Sequence, residues 1–353
     1  MEEWSDTGNT GLENGSENLN LSFTGCPSLL DTSLDLLLFS DISGWIQIFI
    51  CIFGTFSILC CLFLFRSIHL SNLFTQILLL LSVSHLLFLL SMLLSYLAKN
   101  MMSTVLVLVF PTVIHPLSSI SLTLSIYLTM ALSVHVYRII HHPTGHGYPL
   151  LIYLVPSLLL SVSFNIPKFF ETTLVYNEEG ELFIDLTELR VSETYIALYI
   201  HWATLVVLGI FPFFVIILLT CQVISLVKKN RVPGQNKKHA FIFLVLVTIF
   251  ITSHSLRLGL NMHEISVVDQ IDLCAGTELG GFPAWIILTG FVSEIFLAVN
   301  SAATFLFYCL LGPRIKTCCF QEYNMQDMEV EMQSDICHTE QHTCALILIH
   351  STG

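Results

Sequence analysis

The chain has 353 residues, 54% of them hydrophobic and only 11% charged, with a formal net charge of −13. A soluble globular domain carries about a quarter charged residues, so that class is excluded. The acidic balance is also the wrong sign for a nucleic-acid partner.

Residues 1–42 form an acidic segment containing Asn, Ser and Gly, expected to be an extracellular tail. Its first 28 residues lack the basic start and apolar core of a signal peptide, so the first apolar stretch is expected to target the chain. Asn14-Gly15-Ser16 and Asn20-Leu21-Ser22 are glycosylation acceptor triplets, which nominates Asn14 and Asn20.

A bilayer core needs roughly 20 apolar residues per helix. Seven stretches qualify, near 43–65, 73–97, 105–135, 148–166, 196–227, 239–261 and 283–310. They are near-continuous runs of Leu, Ile, Phe and Val, without the dyad alternation of a membrane barrel. Backbone groups in lipid must be paired internally, which makes these stretches helices. The expected fold is an all-α membrane protein, a seven-transmembrane helix bundle over 43–311.

Lys and Arg set the orientation. Arg66, Arg138, Lys228, Lys229, Arg231, Lys237, Lys238, Arg314 and Lys316 fall on one side, against Lys99, Lys168 and Arg190 on the other. The reading is a multi-pass plasma-membrane protein in the lipid bilayer, with its N-terminus extracellular and its C-terminus cytoplasmic. Short turns are expected at Arg66–Asn72 and near Lys99–Ser103. Between Pro167 and Glu193 two alternating runs flank Asn177-Glu178-Glu179-Gly180, which predicts an extracellular β-hairpin over 172–186. Pro233-Gly234 breaks the basic loop Lys228 to Lys238. Gly312 to Phe320 reads as a short amphipathic inner helix, and 312–353 as a whole as a cytoplasmic region ending in a disordered tail.

Within the helices, His254, Arg257, Asn261 and Glu264 are spaced by three, four and three residues and share one face. On the last helix Glu294 lies about 21 Å above Tyr308 at the α-helical rise, the level expected for Arg257. Arg257 and Glu294 are read either as a structural ion pair or as ligand contacts. A ligand site is expected beneath the hairpin, lined by Arg257, Asn261, Glu264, Glu294 and His115, with Phe110 and Tyr199 as aromatic walls. His85 is read as a hydrogen-bonding group in a helix interface. No Ser-His-acid set or carboxylate pair occurs at a shared depth, so no enzyme, cofactor or metal site is expected. Cys26 and Cys274 are the cysteines on the expected outer side and should oxidise together. No Cys lies between Cys61 and Cys221, which excludes a bridge from the third helix to the hairpin segment. Cys318 and Cys319 follow the basic inner segment as palmitoylation candidates. Cys51, Cys60, Cys61, Cys221 and Cys309 read as packing residues.

The segment from Leu128 to Pro143 resembles the end of the third helix in rhodopsin-like G-protein-coupled receptors. His135 stands where the family's acid belongs and Val136 where its arginine belongs, while Tyr137 is kept. Asn165-Ile166-Pro167-Lys168-Phe169-Phe170-Glu171 resembles a signature of the FMRFamide-receptor-like group, as do Tyr199-Ile200-His201-Trp202 with Phe211-Pro212-Phe213. Ser253 to Asn261, Asn300 to Gly312 and the His115-Pro116-Leu117 start of the third helix extend the likeness over about residues 43 to 320. Departures are Thr55 for an Asn, His85 for the acid of the sodium site, and Thr304-Phe305 for Asn-Pro, with Tyr308 retained. Losing that carboxylate removes a hard-cation ligand, so no sodium site is expected.

The resemblance implies an amidated basic peptide ligand, a neuropeptide, and a heterotrimeric G protein as partner. The acidic outer segments suit a cationic ligand. Valine cannot make the charge-assisted hydrogen bonds of the missing arginine, so weakened coupling is expected, with Arg138 as the candidate substitute. The signalling positions are then His135, Val136, Tyr137, Arg138 and Tyr308. The alternative is a non-signalling binding or scaffold protein that keeps the fold. A transporter is a weaker reading, for no repeat and no matched pair of broken helices is present.

Overall fold

The computed structural model describes residues 32–66, 73–101, 108–141, 149–176, 182–229, 234–273 and 284–311. Asn14, Asn20, Cys26, Cys274, Cys318, Cys319, the hairpin turn and the expected inner helix lie outside the described residues, as does the side chain of Tyr308.

Apolar sequence sets the helices. α1 runs Thr32–Arg66 and α2 Leu73–Met101. α3 spans His115–His141 and continues from a π-wound turn at Phe110–Ile114. α4 covers Leu151–Asn165 and passes into a 3-10 turn at Ile166–Phe170. α5 is Phe211–Lys228, α6 Gly234–Leu273 and α7 Ala284–Leu311. Seven helices are long and apolar enough to cross a membrane. The seven-helix bundle expected from sequence is therefore the fold.

The boundaries differ from the sequence reading in three places. α1 reaches back to Thr32, into the segment read as tail. α6 begins at Gly234, so Lys237 and Lys238 belong to a helix rather than a loop. Forty residues at the α-helical rise make that helix about 60 Å long, twice a bilayer core. The fifth stretch is not uniformly α-helical, since Ile196–Ala203 and Leu205–Ile210 are π-wound before α5. Pro212 lies in the first turn of α5, and proline removes a donor and crowds the preceding turn. Widened π turns are a common response to such a break.

The hairpin is present. β1 (Thr172–Tyr176) pairs antiparallel with β2 (Leu182–Leu186), with Thr172 opposite Leu186 and Tyr176 opposite Leu182. Strand β1 touches both the turn before α3 and the turn after α4.

α3 touches α2, α4, α5 and α6, while α1 packs on α7 and α2. The bundle has an apolar core but, unlike a soluble protein, also turns many large apolar side chains outward. Phe49, Phe53, Phe56 and Phe63 of α1 are exposed, as lipid-facing side chains must be, whereas Ser82, Ser125, Ser133, Ser161 and Asn165 are buried. Small residues let helices approach closely in lipid. Their hydroxyls bond back along the helix, as Ser133 Oγ does to Thr129 O at 2.8 Å and Ser161 Oγ to Ser157 O at 2.6 Å. Cys51 is buried, while Cys60 and Cys221 lie on the outer surface of the bundle.

Gly54 is a close approach of α1 to α7. A Cβ there would sit 2.7 Å from Ala302 Cβ and 2.9 Å from Leu89 Cδ1. Gly54→Val is expected to cost about 1–3 kcal/mol of overpacking and to lower the melting temperature of the detergent-solubilised protein. Gly259 provides the control: a Cβ added there would meet nothing within 4 Å, and Gly259→Ala should not lower the melting temperature.

Candidate functional site

Adjacent residues on a helix point about 100° apart, and α3 uses this to divide the bundle. Ser119 faces one cavity and Ser118 another. The first lies among α3, α5, α6 and the turn after α4. Its walls include Ser119, Thr204, Lys168, His254, Arg257 and Asn261. The second lies among α2, α3 and α7 and is walled by Ser91, Tyr96, Phe110, His115 and Glu294.

The five residues nominated from sequence are thus distributed rather than gathered. Arg257 and Asn261 share the first cavity, and His115 and Glu294 share the second. Glu264 lines neither. It shares Arg257's face but stands a heptad higher, about 10 Å along the helix, where its Oε1 is 3.7 Å from His201 Nε2. Depth, not helical phase, separates it from the others.

Arg257 and Glu294 form no ion pair, which corrects that reading of their shared level. α3 and the inward faces of α6 and α7 send them to different cavities. Glu294 is held by neutral donors: Gln47 Nε2 donates to its Oε2 at 3.3 Å and Tyr96 Oη at 3.4 Å. Tyr199 is not a wall of either cavity. Its hydroxyl donates to Phe164 O at 2.5 Å and its ring stacks on Tyr195 at 4.9 Å.

Sequence reasoning missed Lys168, counted only as a charge on the outer side. The turn that follows α4 folds it inward, and its Nζ donates to Ser119 Oγ at 3.0 Å. Asn165 anchors that turn, its Nδ2 donating to Thr123 Oγ1 at 2.9 Å and to Ser161 O at 2.8 Å. The signal was available in the Asn-Ile-Pro-Lys segment, where Pro167 removes a backbone donor and stands in the first turn of the 3-10 stretch that follows α4. His254 was noted in the α6 stripe but not chosen. It forms part of the first cavity's floor, its ring 4.2 Å from that of Phe250, and its Nε2 is buried without a partner.

Glu171 ties the hairpin to the bundle. It is 3.7 Å from Arg190 Nε and accepts from Tyr195 Oη at 2.9 Å. Its backbone carbonyl accepts from Thr187 N at 3.1 Å, so side chain and main chain close the base of the hairpin together.

At the opposite end of α3, Val136 is 0% exposed within an apolar cluster that includes Ile140, Val223, Phe243 and Val247. His135 is buried with its ring edge-on to Tyr153 at 5.8 Å, and Tyr137 lies 5.4 Å from His141. Arg138 is half-buried. Near mid-bundle His85 Nδ1 and Thr55 Oγ1 are buried without partners, while Thr304 Oγ1 donates to Asn300 O at 2.7 Å.

Seven apolar helices enclosing polar cavities beneath a hairpin define a multi-pass membrane protein of helical-bundle type. No family model matches the chain. Over 224 residues, 58% of the chain, the sequence is 29% identical to the FMRFamide receptor of Drosophila melanogaster. The chain spans 38% of that receptor's length.

Arg257→Gln and Glu294→Gln, made singly, break no ion pair and should leave surface expression near native, measured by labelling intact cells. Glu171→Gln weakens the hairpin's charged tether, and hydrogen exchange over 172–186 should speed up while exchange in the helices stays unchanged.

Proposed function

We propose that this protein is a rhodopsin-like G-protein-coupled receptor for a peptide, an amidated neuropeptide with a basic residue, and that its coupling to a heterotrimeric G protein is weak. The similarity to a receptor named for FMRFamide is the observation that carries the reading. The cavities at the hairpin end support it, since a peptide needs an opening with a few placed polar groups. Glu294 suits a ligand cation: its carboxylate accepts from the neutral donors Gln47 and Tyr96 and forms no close ion pair with Arg257. The hairpin end is then extracellular, with the N-terminus on that side and glycans on Asn14 and Asn20. Cys26 and Cys274 form a disulfide there, and the C-terminus is cytoplasmic with Cys318 and Cys319 palmitoylated.

Weak coupling follows from Val136. Where the resemblance places an arginine, this chain has a fully buried aliphatic side chain belonging to an apolar core that α5 and α6 residues share. Valine stabilises the closed packing of those helices and offers a G protein no charged donor. An arginine in the same place would be a buried, unpaired charge, relieved when α6 moves away. Val136→Arg is therefore expected to raise basal nucleotide exchange severalfold in membranes supplied with G protein, at some loss of expression. Phe-Met-Arg-Phe-amide should bind the native chain and drive little exchange. Strong peptide-driven exchange by the native chain that persists in Arg138→Ala would overturn the account of coupling. Absence of binding by amidated basic peptides would overturn the choice of ligand.

A further inference from the structure

The first cavity has an electrostatic character that a basic amidated peptide does not explain. Two cations, Lys168 and Arg257, stand in its wall, and among the described residues no carboxylate lines it. The nearby acids are engaged elsewhere. Glu171 is tied to Arg190 and Tyr195, and Glu294 to Gln47 and Tyr96 in the second cavity. These acids act on Lys168 and Arg257 at longer range. The hydrogen-bond acceptor that meets Lys168 here is the neutral hydroxyl of Ser119.

The rest of the wall is arranged to receive an oxygen acid. His254, 4% exposed, presents an unpartnered buried Nε2 among the lining residues. Ser119, Thr204 and Asn261 add hydroxyl and amide groups. Leu122, Ile126 and Phe213 supply an apolar floor that lowers the local dielectric. Two like charges in such a setting repel each other and gain most from a shared anion between them. Arg offers a planar fork and Lys a compact point charge, a pair suited to the two oxygens of a carboxylate.

We propose that this cavity binds a carboxylate of the ligand, supplied either by an acidic side chain or by a free C-terminus. The inference rests on the peptide reading above and refines it. A ligand spanning α3 would place its cation against Glu294 and its carboxylate against Lys168 and Arg257, so charge order along the peptide fixes its orientation.

The full chain, purified in detergent, tests this by thermal shift with millimolar small probes, because a compound that binds the folded state raises its melting temperature. N-acetylphenylalanine carries a terminal carboxylate, N-acetylaspartylphenylalaninamide a side-chain carboxylate, and N-acetylphenylalaninamide none. At least one acidic probe should raise the melting temperature while the uncharged amide does not, and the acid that succeeds identifies the source. The shift should vanish in Lys168→Gln and in Arg257→Gln, persist in Lys168→Arg, and persist in Glu264→Gln, whose side chain lies outside the cavity. Equal shifts from the amide and the acids, no shift from either acid, or an acid shift that survives both Gln variants would overturn the proposal. The native-chain comparison decides the matter even if a variant fails to fold. A carboxylate-dependent shift alongside failure of amidated basic peptides to bind would leave this site standing and remove the amidated-ligand reading instead.

Discussion

A backbone inside a bilayer has no water to satisfy its N–H and C=O groups, and each group left unpaired costs several kcal/mol. That constraint makes each of the seven stretches a helix and makes large apolar side chains face outward. It also governs the polar side chains left inside. Serines and threonines on α2, α3, α4 and α7 return their hydroxyl protons to their own helix, commonly to the carbonyl four residues back. In that position they are small, satisfied and able to lie at helix contacts. Asn165 adds an interhelical bond to Thr123 on top of its own bond back to Ser161 O. The approach to α5 is π-wound, and Thr204, Leu208 and Gly209 from that stretch form part of a cavity wall.

α3 is the divider that turns this packing into chemistry. With one face toward α2 and α7 and another toward α5 and α6, it separates an acidic chamber from a cationic one. Opposite charges that would neutralise each other as a direct pair are thereby kept apart. Glu294 and Lys168 each meet neutral hydrogen-bonding partners instead. His115 lines the acidic chamber with Glu294.

Toward the other end the same helix becomes apolar. Val136 completes a hydrophobic cluster instead of carrying a charge, and the mid-bundle positions Thr55, His85 and Thr304 are neutral-polar or imidazole groups. The cavity-lining charges Lys168, Arg257 and Glu294 thus lie toward the hairpin, while Val136 is buried at the opposite end.

Helix number and type, the hairpin and its strand limits were legible in the sequence, because apolar run length and two-residue alternation are local properties. Less was legible where the backbone departs from ideal geometry: the early start of α1, the length of α6 and the π turns before Pro212 depend on packing beyond any one segment. The stripe put His254, Arg257 and Asn261 on one face of α6, and all three line the first cavity. It could not reveal that Glu264 stands too high, that Glu294 faces the far side of α3, or that Lys168 turns inward after α4. Periodicity along one helix specifies a direction relative to that helix alone. Which side chains meet across the bundle depends on how α3 is rotated against its neighbours, and only the tertiary structure decides that.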